Sequence, residues 1–214
     1  MKMLELAVID RDELSRNGLK SMVGSLPNWE LSGAYAAVSD FEKALERKHV
    51  QAVVLNDGCV SHGDLWGVLT GWRDRYPNLI VVILSQKLSH RYLQRLFAHG
   101  VQAFIYRADC KLTTLLACME SARKCERYIS PRASTDLYLR QDRTDALGLK
   151  AMDMDVLHCL NRGLTTQEIA LNLQTTERTV HRSRSRLRSA LKVTINERLI
   201  PAAIEYGLIR ELEE

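Results

Sequence analysis

The sequence predicts two domains of different class: a doubly wound α/β domain over residues 1–127 and an all-α domain of four helices over residues 148–214. Three observations predict this. Short β-rich runs alternate with stretches of helical spacing throughout the first half. A polar stretch at residues 128–147, YISPRASTDLYLRQDRTDAL, has no clear periodicity and reads as a linker. Beyond it every apolar run has helical spacing.

The β-rich runs are Leu4–Ile9, Trp29–Ala34, Ala52–Leu55, Leu79–Leu84 and Ala103–Tyr106. Between them, helical spacing is carried by Leu14, Leu19, Met22 and Val23, then by Leu65, Val68, Leu69 and Trp72. A third stretch runs through Leu88, Tyr92, Leu93, Leu96 and Phe97. Helical crossovers between short apolar strands require a parallel sheet covered on both faces. Five βα units in about 125 residues suit a flavodoxin-like (βα)5 domain, in which functional residues collect at the carboxyl ends of the strands. Those ends carry Asp10, Asp57 and Ser85, with Arg107 after the fifth. The span Leu88–Phe97 fits either a dimer surface or a cover for the sheet.

Composition narrows the function classes. Hydrophobic residues make up 46% of the 214, enough for ordinary cores. No apolar run reaches the ~20 residues needed to cross a bilayer. The start, MKMLELAVIDRDE, meets acids too early for a signal peptide, so a cytoplasmic protein without membrane partners is expected. Five cysteines (Cys59, Cys110, Cys118, Cys125 and Cys159) show no metal-binding spacing and read as free thiols, with a redox-sensing pair as the alternative. His62, His90, His99 and His158 share no ligand spacing either. No nucleophile–base pair appears at useful spacing, so no enzymatic activity, resident metal or cofactor is expected.

Net charge is only +4, but its distribution is informative. Between Glu177 and Lys192 six basic residues face one acid. Leu149–Asn161 carries a helical stripe that stops near Gly163, and Thr165 or Thr166 can cap the next helix. That helix presents Ile169, Ala170 and Leu173. After a turn at Gln174–Thr175, Thr176 can cap a third helix with an apolar stripe at Val180, Leu187 and Leu191. A short helix, a tight turn and a basic second helix are what insertion into the major groove needs. Arg178 and Arg182 are one turn apart, as are Arg184 and Arg188, so their guanidiniums line up to meet phosphates and base edges.

These residues carry a family resemblance. LNRGLTTQEIALNLQTTERTVHRSRSRLRSALKV resembles the LuxR-type helix-turn-helix of the NarL/FixJ response regulators, through the G-L-T-x-x-E-I-A core at Gly163–Ala170, the E-R-T-V of Glu177–Val180, and Leu191. The segment LIPAAIEYGLI fits the family's fourth, dimerising helix, although Pro201 predicts a late start or a kink there. The resemblance implies base-reading roles for His181, Arg182 and Ser185, and backbone contacts for Arg178, Thr179 and Arg186. Where the family often has Lys-Val at the first two of these base-reading positions, this chain has His-Arg, so its preferred sequence should differ.

The first half resembles the family's receiver domain through Arg16–Leu19, Asp57, Ser85 and the Gly100–Arg107 approach to the fifth strand. Counting back from Tyr76-Pro77 also lands on Asp57. The resemblance makes Asp57 the phosphoacceptor position, and Ser85 and Phe104 the hydroxyl and aromatic switch positions. The pattern departs at two charged positions. The paired acids after strand one read Asp10-Arg11, and the lysine after strand five is Arg107. Trp66, Gly67 and the loop GCVSHGD also replace the usual Met-Pro-Gly. With Arg11 turned inward, the site would offer about −1 to Mg²⁺ instead of about −3. The guanidinium would then fork onto Asp57 or Asp10. In the counter-reading, Asp12 or Glu13 replaces the missing acid and Arg11 faces solvent. Asp57 could also survive only as a permanent partner of Arg11 or Arg107.

The reading that follows is a dimeric regulator that binds double-stranded DNA, with an atypical receiver not controlled by Mg²⁺-dependent phosphorylation. Its control would come from dimerisation, a small ligand, abundance, or a partner regulator or sensor protein. The alternatives are a phosphorylation-activated two-component regulator using Asp57, and a protein-interaction adaptor that does not bind DNA.

Overall fold

A computed structural model describes residues 3–60 and 64–209. The chain divides into two compact units, Met1–Leu137 and Tyr138–Glu214. His62 and part of the GCVSHGD loop lie outside the described residues.

The first unit is built on six parallel strands: β1 (Leu4–Ile9), β2 (Trp29–Tyr35), β3 (Ala52–Asn56), β4 (Ile80–Ser85), β5 (Ala103–Tyr106) and β6 (Tyr128–Ile129). Their order is β2-β1-β3-β4-β5-β6. Strand periodicity sorts their side chains onto two faces. Ala7, Ile9, Val53, Leu55, Val81, Ile83 and Phe104 pack against α2 (Val38–Leu45), α3 (Asp64–Arg75) and α4 (His90–Ala98). Leu6, Val8, Val54, Val82, Leu84 and Ile105 pack against α1 (Glu13–Gly24) and α5 (Leu112–Arg123). Both faces are covered, which explains why the central strands read as continuous apolar runs rather than alternating ones. β1 lies between β2 and β3, so the chain reverses its winding there and opens a crevice at the strand ends.

The structure corrects the expected linker. Tyr128–Ile129 forms β6 beside β5, and Pro131–Ala146 forms α6. Ser130 fixes the junction: its N–H donates to the Phe104 carbonyl at 3.0 Å, and its hydroxyl accepts the Tyr106 N–H at 3.0 Å. Pro131 suits the first helical position, where a missing N–H costs nothing. The helix escaped the periodicity reading because Ala133 and Leu137 are its apolar contribution to the first unit's core, while Tyr138 and Leu139 are exposed.

In the second unit α7 (Ala151–Asn161), α8 (Thr166–Asn172), α9 (Glu177–Ala190) and α10 (Leu199–Glu205) enclose a core of Val156, Leu157, Ile169, Val180, Leu187, Leu199 and Ala203. Gly163, at φ +76°, ends α7 in the left-handed conformation that favours glycine. Thr165 caps α8 in a reciprocal box with Glu168, and Thr176 caps α9 by accepting the Thr179 N–H. The predicted late start does not occur, since α10 begins two residues before Pro201. Pro201 is the third residue of α10, in the first turn, where no intrahelical N–H bond is lost.

Candidate functional site

The carboxyl ends of β1, β3, β4 and β5 bring Asp10, Asp57, Ser85 and Arg107 to one cavity of about 520 Å³ or its immediate wall. Asp10 and Asp57 are 1% and 4% exposed. Buried carboxylates must be satisfied by donors, and both are. Asp10 Oδ2 accepts from the Ser15 hydroxyl, from Asn56 Nδ2 at 3.0 Å, and faces Arg107 Nη1 at 3.5 Å. Its Oδ1 accepts the Asp12 N–H at 3.0 Å. Asp57 Oδ2 accepts from Ser85 Oγ at 2.8 Å and Tyr92 Oη at 2.6 Å, and is paired with Lys87 Nζ at 3.2 Å.

The two departures seen in sequence resolve as follows: Arg11 takes the solvent-facing alternative without a replacement acid, and Arg107 does not reach Asp57. Arg11 is exposed and enters no fork with Asp10 or Asp57; its main-chain N–H donates to Cys59 Sγ at 3.0 Å. β1 ends at Ile9, and Arg11 lies in the bend beyond it, outside the two covered faces of the sheet. Asp12 does not replace the missing acid either. Its carboxylate caps α1 by accepting the Ser15 N–H, and Glu13 is exposed. The cation on Asp57 is Lys87, and Arg107 pairs with Asp10 rather than Asp57.

Phe104 is fully buried in the sheet's core. The aromatic that reaches Asp57 is Tyr92, from α4. Burial, followed by the adjacent Asp57 charge, raises the Tyr92 hydroxyl well above its ordinary range, so it stays protonated and donates. Trp66 packs edge-on against Tyr92 at 5.8 Å, and Arg95 lies over the Trp66 ring at 4.0 Å. The cysteines are all free thiols. Among the described residues no group of three or more His, Cys, Asp or Glu side chains could hold a metal ion.

In the second unit the side chains of α9 separate by face. Val180, Ser183 and Leu187 are buried. Arg178, His181, Arg182 and Ser185, at spacings of three and four, are exposed along one face, and Thr179 is half-buried beside it. Arg188 donates to Asn196 Oδ1 at 2.6 Å, while the buried Arg184 Nε has no hydrogen-bond partner among the described residues. Burial and then the neighbouring Arg188 charge lower the Arg184 pKa.

Arg186, expected as a phosphate contact, also has a partner inside the unit. It forks onto the fully buried Asp153 of α7, with Nε at 3.0 Å from both carboxylate oxygens and Nη2 at 2.6 Å from Oδ1. Asp153 Oδ2 also accepts the Lys150 N–H at 2.9 Å. Burial alone would raise the Asp153 carboxyl, but Arg186, the Lys150 N–H and Ser183 outweigh it and hold it below its ordinary value. A depressed folded-state pKa contributes stability above the unfolded value of about 3.9, lost as pH falls through the folded value. The melting temperature of the second unit should therefore drop below about pH 4. Asp153→Asn should shrink that drop in thermal melts across pH; an unchanged profile would remove the pair from the acid response.

Residues 149–202 match the family of bacterial regulatory proteins, luxR family (GerE). The transcriptional regulatory protein MctR of Rhizobium johnstonii is 24% identical over 211 residues, covering 98% of this chain and 97% of that protein. The oxygen regulatory protein NreC of Staphylococcus epidermidis is 20% identical over 224 residues, covering 99% and 100%. RcsB from Salmonella enterica serovar Typhimurium, solved on the promoter rprA with the phosphomimetic BeF3-, superposes with a TM-score of 0.62 at 13% identity, covering 93% of this chain and 97% of RcsB. At that identity the likeness concerns fold. Among the described residues no helix is long and apolar enough to cross a membrane.

Proposed function

We propose, on the premise that a luxR-type helix-turn-helix domain here follows a receiver-like domain, that this chain is a sequence-specific DNA-binding transcription regulator acting as a dimer. The observation that carries this is the exposed face of α9, where Arg178, His181, Arg182 and Ser185 align opposite the buried stripe. Such a face fits a major groove, with guanidiniums for phosphates and polar tips for base edges. The relatives support it: MctR is a transcriptional regulatory protein, and RcsB has been solved as dimers on DNA. Selection from a randomised duplex pool by purified protein tests it. Enrichment of one sequence, with salt-sensitive affinity, is the expected result; no affinity for any duplex would favour the adaptor reading.

The receiver-like domain works, in this proposal, without Mg²⁺-dependent phosphorylation. The residues present do not fit the metal. Two buried carboxylates face two partly exposed cations of the chain itself, Lys87 and Arg107, and Asp57 Oδ2 already receives three donors. Mg²⁺ dehydrates reluctantly and needs carboxylate charge, which these ammonium and guanidinium groups oppose. Incubation with acetyl phosphate and Mg²⁺, read by intact mass, should leave the chain unmodified. A gain of about 80 Da that disappears in Asp57→Asn would establish the phosphorylated alternative instead.

A further inference from the structure

We infer that Asp153 is a positioning residue for DNA reading: through its fork to Arg186 it fixes the roll of α9 about its own axis, and Arg186 serves that fork rather than the DNA. The inference rests on the proposed DNA-binding role of α9.

The placement of the fork makes this possible. At about 100° per residue, Arg186 lies roughly 40° around α9 from Arg182, on the border between the exposed face and the buried stripe. The stripe itself is Val180, Ser183 and Leu187, two apolar contacts and a small hydroxyl, which set the depth of α9 in the core but carry little direction of their own. A bidentate guanidinium–carboxylate pair is directional in a way that apolar contact is not. Both ends of this one are anchored. Asp153 has no exposed surface and is tied to the Lys150 N–H at the start of α7, while Arg186 Nη2 also donates to Ser183 Oγ at 3.0 Å. The fork therefore joins the border of α9 to a fixed point on its neighbour.

The geometry at the DNA gives roll its importance. Side-chain tips ride at a radius of about 6 Å, so a roll of about 10° displaces them by about 1 Å. Hydrogen bonds to base edges weaken over that distance and over the accompanying change in angle. Phosphate contacts by long, exposed arginines adapt more readily. Loosening the roll should reduce specific binding and spare non-specific binding.

Asp153→Asn gives opposite signs for the two roles Arg186 could have. It keeps an acceptor for the Lys150 N–H, removes the charged fork and raises net charge by one. If Arg186 were a phosphate contact held back by Asp153, the variant would release it, tighten binding and steepen the salt dependence by about 0.9 in log–log slope. As a positioning residue, Asp153→Asn should weaken binding to the duplex selected by the wild-type protein about tenfold, the cost of misplacing one base contact. Affinity for random-sequence genomic DNA should not fall.

Arg186→Lys keeps the charge without the fork and should reproduce that loss. Combining it with Asp153→Asn should add nothing, since both remove one interaction. Arg186 is 40% exposed, so its substitution is measurable even if a change at buried Asp153 compromises folding. Wild-type affinity at Asp153→Asn and Arg186→Lys, or a salt slope lowered by about 0.9 in Arg186→Gln, would overturn the inference. A wild-type protein that binds no duplex would sink the DNA-binding premise instead, which separates the two failures.

Discussion

Reversing charge at both Arg178 and Arg182 (R178E/R182E) should weaken binding to the selected duplex by at least about a thousandfold at physiological salt. Each good arginine contact contributes about 1–3 kcal/mol, and each reversal adds repulsion from the phosphates to the loss of attraction. Both side chains are exposed, and among the described residues neither enters an ion pair, so the fold should not suffer. Exposed substitutions of this kind change stability by about 0.5 kcal/mol or less. Titration by fluorescence anisotropy, beside circular dichroism of the same preparation, checks both halves. Retained affinity with a normal spectrum would move the interface away from α9.

The second large effect concerns folding. Leu187 is fully buried where α9 meets the core of the second unit. Leu187→Ala should cost about 2–5 kcal/mol through lost burial and a residual cavity. A unit of this size has a total stability of only about 4–11 kcal/mol, at about 0.05–0.15 kcal/mol per residue. The variant should therefore lower the second unit's melting transition by at least about 8 °C, with DNA binding failing at the same temperature. The transition of the first unit should stay in place, because neither of its core clusters includes a residue of the second. A common downward shift of both transitions would show that the units melt together.

Much of this was legible in the sequence because one-dimensional periodicity reports burial. The strand runs predicted a parallel sheet, and the rule that sites form at strand ends placed Asp10, Asp57, Ser85 and Arg107 together. The caps at Thr165 and Thr176 and the stripe of α9 were readable for the same reason. What escaped depends on direction or on distant partners. Arg11 was weighed both as an inward and as a solvent-facing charge, and only the bend beyond β1 decides between them. Lys87 lies two residues past the end of β4, in a loop that the same strand-end rule could have flagged. Tyr92 sits in a helical stripe that reads as core, and nothing local indicates that its hydroxyl reaches Asp57. Arg186 looked interchangeable with its basic neighbours, since only the fold shows that it meets an acid 33 residues away.

The brevity of β6 limits how copies of this protein can associate. A sheet margin normally offers a ladder of unpaired amides on which another chain can build. Here the outermost strand is two residues long and runs through Ser130 straight into a proline, so the ladder stops almost where it starts. A visiting strand would find too few rungs at that margin. A dimer formed at that margin would therefore have to meet through helical surfaces, and stacking into β-fibres should be disfavoured from that side.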